Sequence, residues 1–181
     1  MAICGYGNLG KKCASKMNAL GARVVVSESD HDYAAEALSN GIILCTLEKV
    51  LTTADIYITA TGNKEDIIKV NQMAEMKNNA IVANIESFDN AIDMVGLENC
   101  PGIKKTEIHT YIDRYLFPDG HGIIILAQGR PLNLECATDR PSFVIECLLA
   151  YQALAHNDFA QLLALEAQDN PSLNALQEIL P

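Results

Sequence analysis

The chain has 181 residues, 49% of them apolar, and a net charge of −10. That length fits one domain with a real core, and the acidic excess argues against nucleic acid or an anionic membrane surface as the main partner. No apolar run approaches the ~20 residues that cross a bilayer, and no basic region followed by an apolar stretch opens the chain, so a cytoplasmic protein is expected.

Met1-Ala2-Ile3-Cys4 is a short apolar run that enters Gly5-Tyr6-Gly7-Asn8-Leu9-Gly10, and a helix is predicted over Lys11 to Leu20. In such a setting Gly5 makes the tight turn out of a strand, Gly7 lets a diphosphate approach the backbone, and Gly10 lets the helix lie close to the sheet. The N–H groups opening that helix would face the phosphates, aided by the positive end of its dipole. Lys11 and Lys12 are candidates to neutralise phosphate, although lysines on helix surfaces are usually just solvated.

The glycine pattern alone is weak, and its neighbours give it weight. Gly21-Ala22-Arg23 turns the chain and Val24-Val25-Val26 reads as a buried parallel strand. Glu28 comes 18 residues after Gly10, near the place where an acid grips the adenosine ribose of a dinucleotide. A carboxylate there accepts hydrogen bonds from ribose hydroxyls and repels a 2′-phosphate, so NAD is favoured over NADP. The plainer alternative is an acid that caps a solvent-exposed strand end.

Asp30 is placed to cap a helix over Asp32 to Ser39, closed by Asn40-Gly41. Ile42 to Cys45 is the next strand, and Thr46 caps a turn or two of helix through Leu51. Ala54 to Thr59 is the fourth strand and delivers Thr59-Ala60-Thr61-Gly62-Asn63 at its carboxyl end. Ligands of doubly wound sheets collect at that edge, so this loop is expected to border a cofactor. The alternative is a polar turn leading into a helix. A helix around Asn71 to Lys77 and a fifth strand, Ala80 to Asn84, complete a parallel sheet with helices on both faces.

The pattern then changes. Residues 103–127 alternate, with Pro118 to Gly122 as a turn between Tyr111–Leu116 and Ile123–Leu126, a hairpin added at a sheet edge. A long helix is predicted from Pro141-Ser142, and Asn170-Pro171 breaks the leucine-rich end into two segments. The fold expected is α/β: a Rossmann-type doubly wound parallel sheet with an added edge β-hairpin over residues 1–145, and a C-terminal helical extension over 146–181 packed on the same domain. Apolar faces on those last helices make a homo-oligomer a candidate assembly.

Six cysteines, Cys4, Cys13, Cys45, Cys100, Cys136 and Cys147, form no C-x-x-C pair and no zinc spacing with histidine, and read as reduced core residues. His31 in the turn after Glu28, His109 in a strand, His121 in the hairpin turn and His156 on the last helices have no metal-ligand spacing. No catalytic residue and no metal ligand is assigned.

Collectively the motifs resemble S-adenosyl-L-homocysteine hydrolase. The resemblance rests on Gly5 to Ala14, Gly21-Ala22-Arg23-Val24 with Glu28, and Thr59-Ala60-Thr61-Gly62. It continues through Asn84-Ile85 with Phe88-Asp89, Ile112-Asp113-Arg114-Tyr115, Ile124 to Arg130, Leu132-Asn133-Leu134 and Pro141 to Val144. It is collinear from about residue 3 to 145. It implies a tightly bound NAD that oxidises the substrate's ribose 3′-hydroxyl, permits loss of homocysteine and addition of water, and is then restored as adenosine forms. By resemblance Gly5, Gly7, Asn8, Leu9 and Gly10 would hold the diphosphate and Glu28 the ribose. Thr61, Gly62, Asn63, Ile85 and Asn133 would line the path to the nicotinamide.

The departures are as informative. Family members carry an upstream substrate domain with the acid-base lysine and carboxylates, whereas this chain starts at the first strand of the nucleotide fold. Glu86-Ser87 and Asp139-Arg140 stand where the family has Gly-His pairs, and Glu86 puts negative charge where a glycine allows close backbone approach. The C-terminal lysine-tyrosine tail of the family has no counterpart in Leu162 to Pro181. Three functions fit: an NAD-binding domain of the adenosylhomocysteinase type, inactive without a substrate domain on a missing or separate chain; a diverged NAD-binding or interaction module; or the cofactor half of another NAD-dependent dehydrogenase.

Overall fold

A computed structural model describes residues 1–62 and 67–132. Asn63, Asn133, Cys136, Cys147, His156, the helices expected after Pro141 and the proposed boundary at 145/146 therefore lie outside the described residues.

Short apolar runs become short strands. β1 (Ala2–Cys4), β2 (Val25–Ser27), β3 (Ile43–Leu44), β4 (Ile56–Thr59) and β5 (Ala80–Asn84) alternate with α1 (Asn8–Ala19), α2 (His31–Ser39), α3 (Leu47–Val50) and α4 (Val70–Glu75). Among the described residues eight strands form one sheet in the order β3-β2-β1-β4-β5-β8-β7-β6, completed by β6 (Lys104–His109), β7 (Ile112–Leu116) and β8 (Gly122–Leu126). The first five strands are mutually parallel in register, for example Ile3 opposite both Val26 and Ile58. Strand order reverses between β1 and β4, which leaves a crevice at the carboxyl ends of those two strands.

Alternate residues of each strand feed opposite faces, as the two-residue period requires. Ala2 and Cys4 join Leu47, Leu51, Met73 and Leu97 in one core layer, while Ile3, Val26 and Ile58 join Ala14 and Ala37 in the other. Helices thus cover both faces. Asp30 caps α2 as expected, its Oδ1 accepting from the N–H groups of Asp32 and Tyr33 at 2.9 and 3.2 Å. Thr46 occupies the N-cap of α3, but its hydroxyl makes no capping bond. His31 is the first residue of α2 rather than part of the preceding turn.

The hairpin is present, with Phe117 to His121 between its strands and Gly122 already the first residue of β8, and it is better integrated than expected. β8 pairs in parallel with β5, Ile123 opposite Ala80, and so acts as a sixth parallel strand. β7 and then β6 extend the sheet antiparallel from it. The actual edge is β6, whose six residues are all exposed and which has a bulge at Ile108. His109 is expected in a strand, but β6 as a separate third strand partly escaped the sequence reading, because its exposed lysine- and glutamate-bearing residues give a weak apolar signal. A short helix, α5 (Met94–Asn99), escaped it too, because Gly96 lowers helix propensity. The Asp93 carboxylate caps α5 by accepting from the Gly96 N–H at 2.7 Å.

β8 runs into a turn at Ala127, Gln128 and Gly129, all with positive φ of 50°, 56° and 77°. Asn84, completely buried at the end of β5, ties that turn down. Its Nδ2 donates to the carbonyls of Phe88 at 2.5 Å and Gly129 at 3.3 Å, while its Oδ1 accepts from Thr59 Oγ1 at 3.0 Å and the Glu86 N–H at 3.0 Å. Among the described residues no helix is long and apolar enough to cross a membrane.

Candidate functional site

The glycine loop is shaped by steric demands that only hydrogen can meet. Gly5 has φ +101°, and a Cβ there would lie 2.2 Å from the Ala60 carbonyl oxygen. A Cβ on Gly10 would lie 2.2 Å from the Gly5 carbonyl oxygen, so the first turn of α1 sits directly on the loop. Gly7 differs: nothing lies within 4 Å of where its Cβ would be. Two of the glycines pack the loop against β4 and α1, and the third keeps a space open in front of it.

That open space faces a helix start in need of an acceptor. Gly7 is the N-cap of α1 and supplies no side-chain cap, and the first intrahelical bond runs from the Lys11 N–H to the Gly7 carbonyl at 2.9 Å. The N–H groups of Asn8, Leu9 and Gly10 come before that bond and have no partner within the helix. Such a terminus attracts an anion through its aligned N–H dipoles.

Two hollows flank the loop along the carboxyl edge of the sheet and meet at Glu28 and Thr61, which line both. One, of about 230 Å³, is lined among others by Cys4, Ser27, Thr46, Leu47, Ile67 and Gln72. The other, of about 350 Å³, is lined by Gly7, Asn8, Asp30, Tyr33, Ala60, Gly62 and Glu86. No described lysine or arginine lines either one. Lys11 is turned elsewhere: its Nζ pairs with Glu36 and lies 5.0 and 5.9 Å from the ring centres of Tyr33 and Tyr6. An anion in this cleft would therefore be held by N–H groups.

Glu28 sits just beyond β2 and is half-buried. Its Oε2 accepts from the Tyr6 N–H at 2.7 Å, and its Oε1 accepts from the N–H groups of Ser29 and Asp30 at 2.7 and 2.9 Å. The acid that the sequence marked for a sugar is also the anchor of the glycine loop. With three of about four acceptor positions used, it retains one for a ligand hydroxyl. Thr61 Oγ1 is hidden from water and finds no hydrogen-bond partner among the described residues, an arrangement that a bound polar group would satisfy.

The structure therefore gathers Gly7, Asn8, Glu28, Thr61 and Gly62 around one cleft, with Gly5 and Gly10 packed beneath it. Leu9 stands exposed on the first turn of α1. Ile85 is half-buried, its N–H donating to the Thr59 carbonyl at 3.1 Å. Asp30, Tyr33 and Glu86 also reach the cleft; of these only Glu86 was marked near the cofactor from sequence, as an acid where the family has a glycine. Their signal is positional, since each lies beyond the carboxyl end of a parallel strand.

Matching to protein families agrees with this geometry. Residues 1–139 fit the model of the S-adenosyl-L-homocysteine hydrolase NAD-binding domain. The chain belongs to that family. Two adenosylhomocysteinases, from Triticum aestivum and Solanum lycopersicum, are 53% and 51% identical over 154 residues, 84% of this chain and 32% of each relative. The chain thus spans about a third of the length of these relatives. Among solved structures, a dipicolinate synthase subunit from Bacillus halodurans is similar over 54% of this chain and 34% of its own, with 26% identity and a TM-score of 0.49.

The cofactor of the adenosylhomocysteinase NAD-binding domain is NAD, and the cleft fits it. The open space at Gly7, the N–H groups at the start of α1 that have no partner within the helix, the remaining acceptor position on Glu28 and the Thr61 hydroxyl, without a partner among the described residues, suit a diphosphate flanked by ribose.

Cys4 lines the smaller hollow, but burial, reinforced by the negative charge of Glu48, pushes its thiol up to about 12. The four described cysteines are free thiols; only Cys4 is buried, and Cys13, Cys45 and Cys100 are half-buried rather than full core residues.

Proposed function

We propose that this chain is the NAD-holding part of an adenosylhomocysteinase-type protein, and that it does not carry out the family's hydrolysis of S-adenosylhomocysteine unaided. NAD would supply hydride acceptance and return. The residues of this chain would position it: Gly5, Gly7, Asn8, Leu9 and Gly10 at the diphosphate, Glu28 at the adenosine ribose, and Thr61, Gly62, Asn63, Ile85 and Asn133 toward the nicotinamide. The acid-base groups would come from a substrate domain, since the chain corresponds to only 32% of its relatives. Further parts of the proposal are the division at residues 145/146, a cytoplasmic setting within one-carbon metabolism and assembly as a homo-oligomer.

The observation that carries the reading is the bond from the Tyr6 N–H to Glu28 Oε2. It joins the diphosphate loop and the sugar-selecting acid into one unit at the switch in strand order. A 2′-phosphate would meet that carboxylate directly, so NAD is expected to raise the melting temperature more than NADP, and Glu28→Ala to narrow the gap. Equal shifts in the parent chain would defeat the assignment of Glu28. Mass spectrometry of small molecules released from the purified protein gives the complementary test, with NAD as the expected species. The presence of Glu86 in the cleft favours a second reading, a cofactor-binding module without turnover. Hydrolysis of S-adenosylhomocysteine on adding a substrate domain would decide against it.

A further inference from the structure

The cleft ends on its β5 side at Glu86. Glu86 is half-buried and lines the same hollow as Gly7, Asn8, Thr61 and Gly62. Its backbone is fixed by the bond from its N–H to Asn84 Oδ1, and Asn84 is in turn held by Thr59, Phe88 and Gly129. A backbone tied to a buried network gives the side chain a defined origin, unlike one carried on a free loop.

Topology decides which part of a ligand comes near, once the cleft is read as the NAD site, on which the inference rests. With adenosine on the β2 side at Glu28 and the diphosphate before Gly7, the rest of the dinucleotide has to continue past β1 and β4 toward β5. The nicotinamide end therefore arrives on the side of Glu86. The oxidised ring carries a positive charge. On accepting a hydride, one hydrogen with two electrons, it becomes neutral.

We propose that Glu86 makes this site select the oxidation state of its cofactor, favouring NAD+ over NADH through attraction between its carboxylate and the pyridinium ring. Contacts to adenine, ribose and diphosphate are common to the two forms and cancel in the comparison. The attraction does not cancel, and in a half-buried cleft it is screened less than in open water. Glu86 would thus be a specificity determinant that keeps the oxidised form resident.

The test is calorimetric titration of the full 181-residue chain and of Glu86→Gln with NAD+, NADH and ADP-ribose, which lacks nicotinamide. Glu86→Gly serves as a second variant. The net charge of the chain alone favours NAD+, so the decisive quantity is the change in the ratio of the two dissociation constants. Removing the carboxylate is expected to shrink the preference for NAD+ by about tenfold, the scale of one charge pair at intermediate screening. The loss should fall on NAD+ binding, with NADH and ADP-ribose little changed. An unaltered ratio would overturn the inference while leaving the NAD site intact. So would equal tightening of all three ligands, which would mean that Glu86 merely repels diphosphate. Failure of the parent chain to bind any of them would remove the NAD reading and this inference with it.

Discussion

Glu28 and Glu86 invite comparison, because each stands beyond the carboxyl end of a parallel strand and each lines the cleft. At one end the charge is largely spent: three backbone N–H groups converge on the Glu28 carboxylate, including that of Tyr6 in the glycine loop. At the other, the backbone N–H of Glu86 is anchored to Asn84, and no described residue donates to its carboxylate. Similar acids thus do opposite work. Glu28 anchors the loop and keeps one acceptor position, the one proposed for a sugar, whereas no described donor engages the carboxylate of Glu86.

The sharpest way to break the Glu28 end is to disturb the loop it anchors. Gly5→Ala forces a methyl group against the Ala60 carbonyl at positive φ, and should cost about 3 kcal/mol or more in urea denaturation. Gly7→Ala meets no atom within 4 Å and should cost no more than about 1 kcal/mol, yet it should weaken NAD binding in calorimetry. If both variants lost stability equally, the division of labour among the glycines would be wrong.

The Glu86 end has a different weak point. Thr59→Val removes a buried donor to Asn84 Oδ1, leaving that oxygen the Glu86 N–H alone, at a cost of about 1–3 kcal/mol. Faster amide exchange at Glu86, with the glycine loop unaffected, would show that the two ends are held independently. A direct contrast comes from the isosteric pair. Glu28→Gln weakens charge-assisted bonds to the loop and should lower stability by about 1 kcal/mol, while Glu86→Gln should stay within about 0.5 kcal/mol.

The smallest effect belongs to neither end and serves as a control. The hydrogen bond from Lys77 and then its charge hold the Asp55 carboxyl below its ordinary value. A lowered folded value means that the contribution is present above the ordinary carboxylate range and is lost as pH falls through the lowered value. Asp55 is fully exposed, so the change in stability should be slight. Carboxyl titration by NMR in Lys77→Met should show Asp55 returning upward.

How much the sequence revealed depends on the range of the interactions involved. The alternation of strands and helices from Ala2 to Asn84, the cap at Asp30 and the glycine loop are written in neighbouring residues, and they were legible. The role of Glu28 was half legible: its distance from Gly10 marked it, but its grip on Tyr6 spans 22 residues of chain. β6 was legible only at His109, because an exposed edge carries little apolar period, and the seating of β8 beside β5 depends on pairing between residues such as Ala80 and Ile123. Glu86 was legible as an acid at a position where a glycine allows cofactor approach, and the fold adds the anchoring of its N–H on Asn84.

The Tyr6 amide carries a consequence of its own. Its hydrogen is clasped by the acid expected to receive the incoming sugar, so arrival of that sugar redistributes the acid's electron density and alters the clasp. Deuterium uptake and chemical shift at this single position would then act as a built-in gauge of occupancy, readable without dye or turnover.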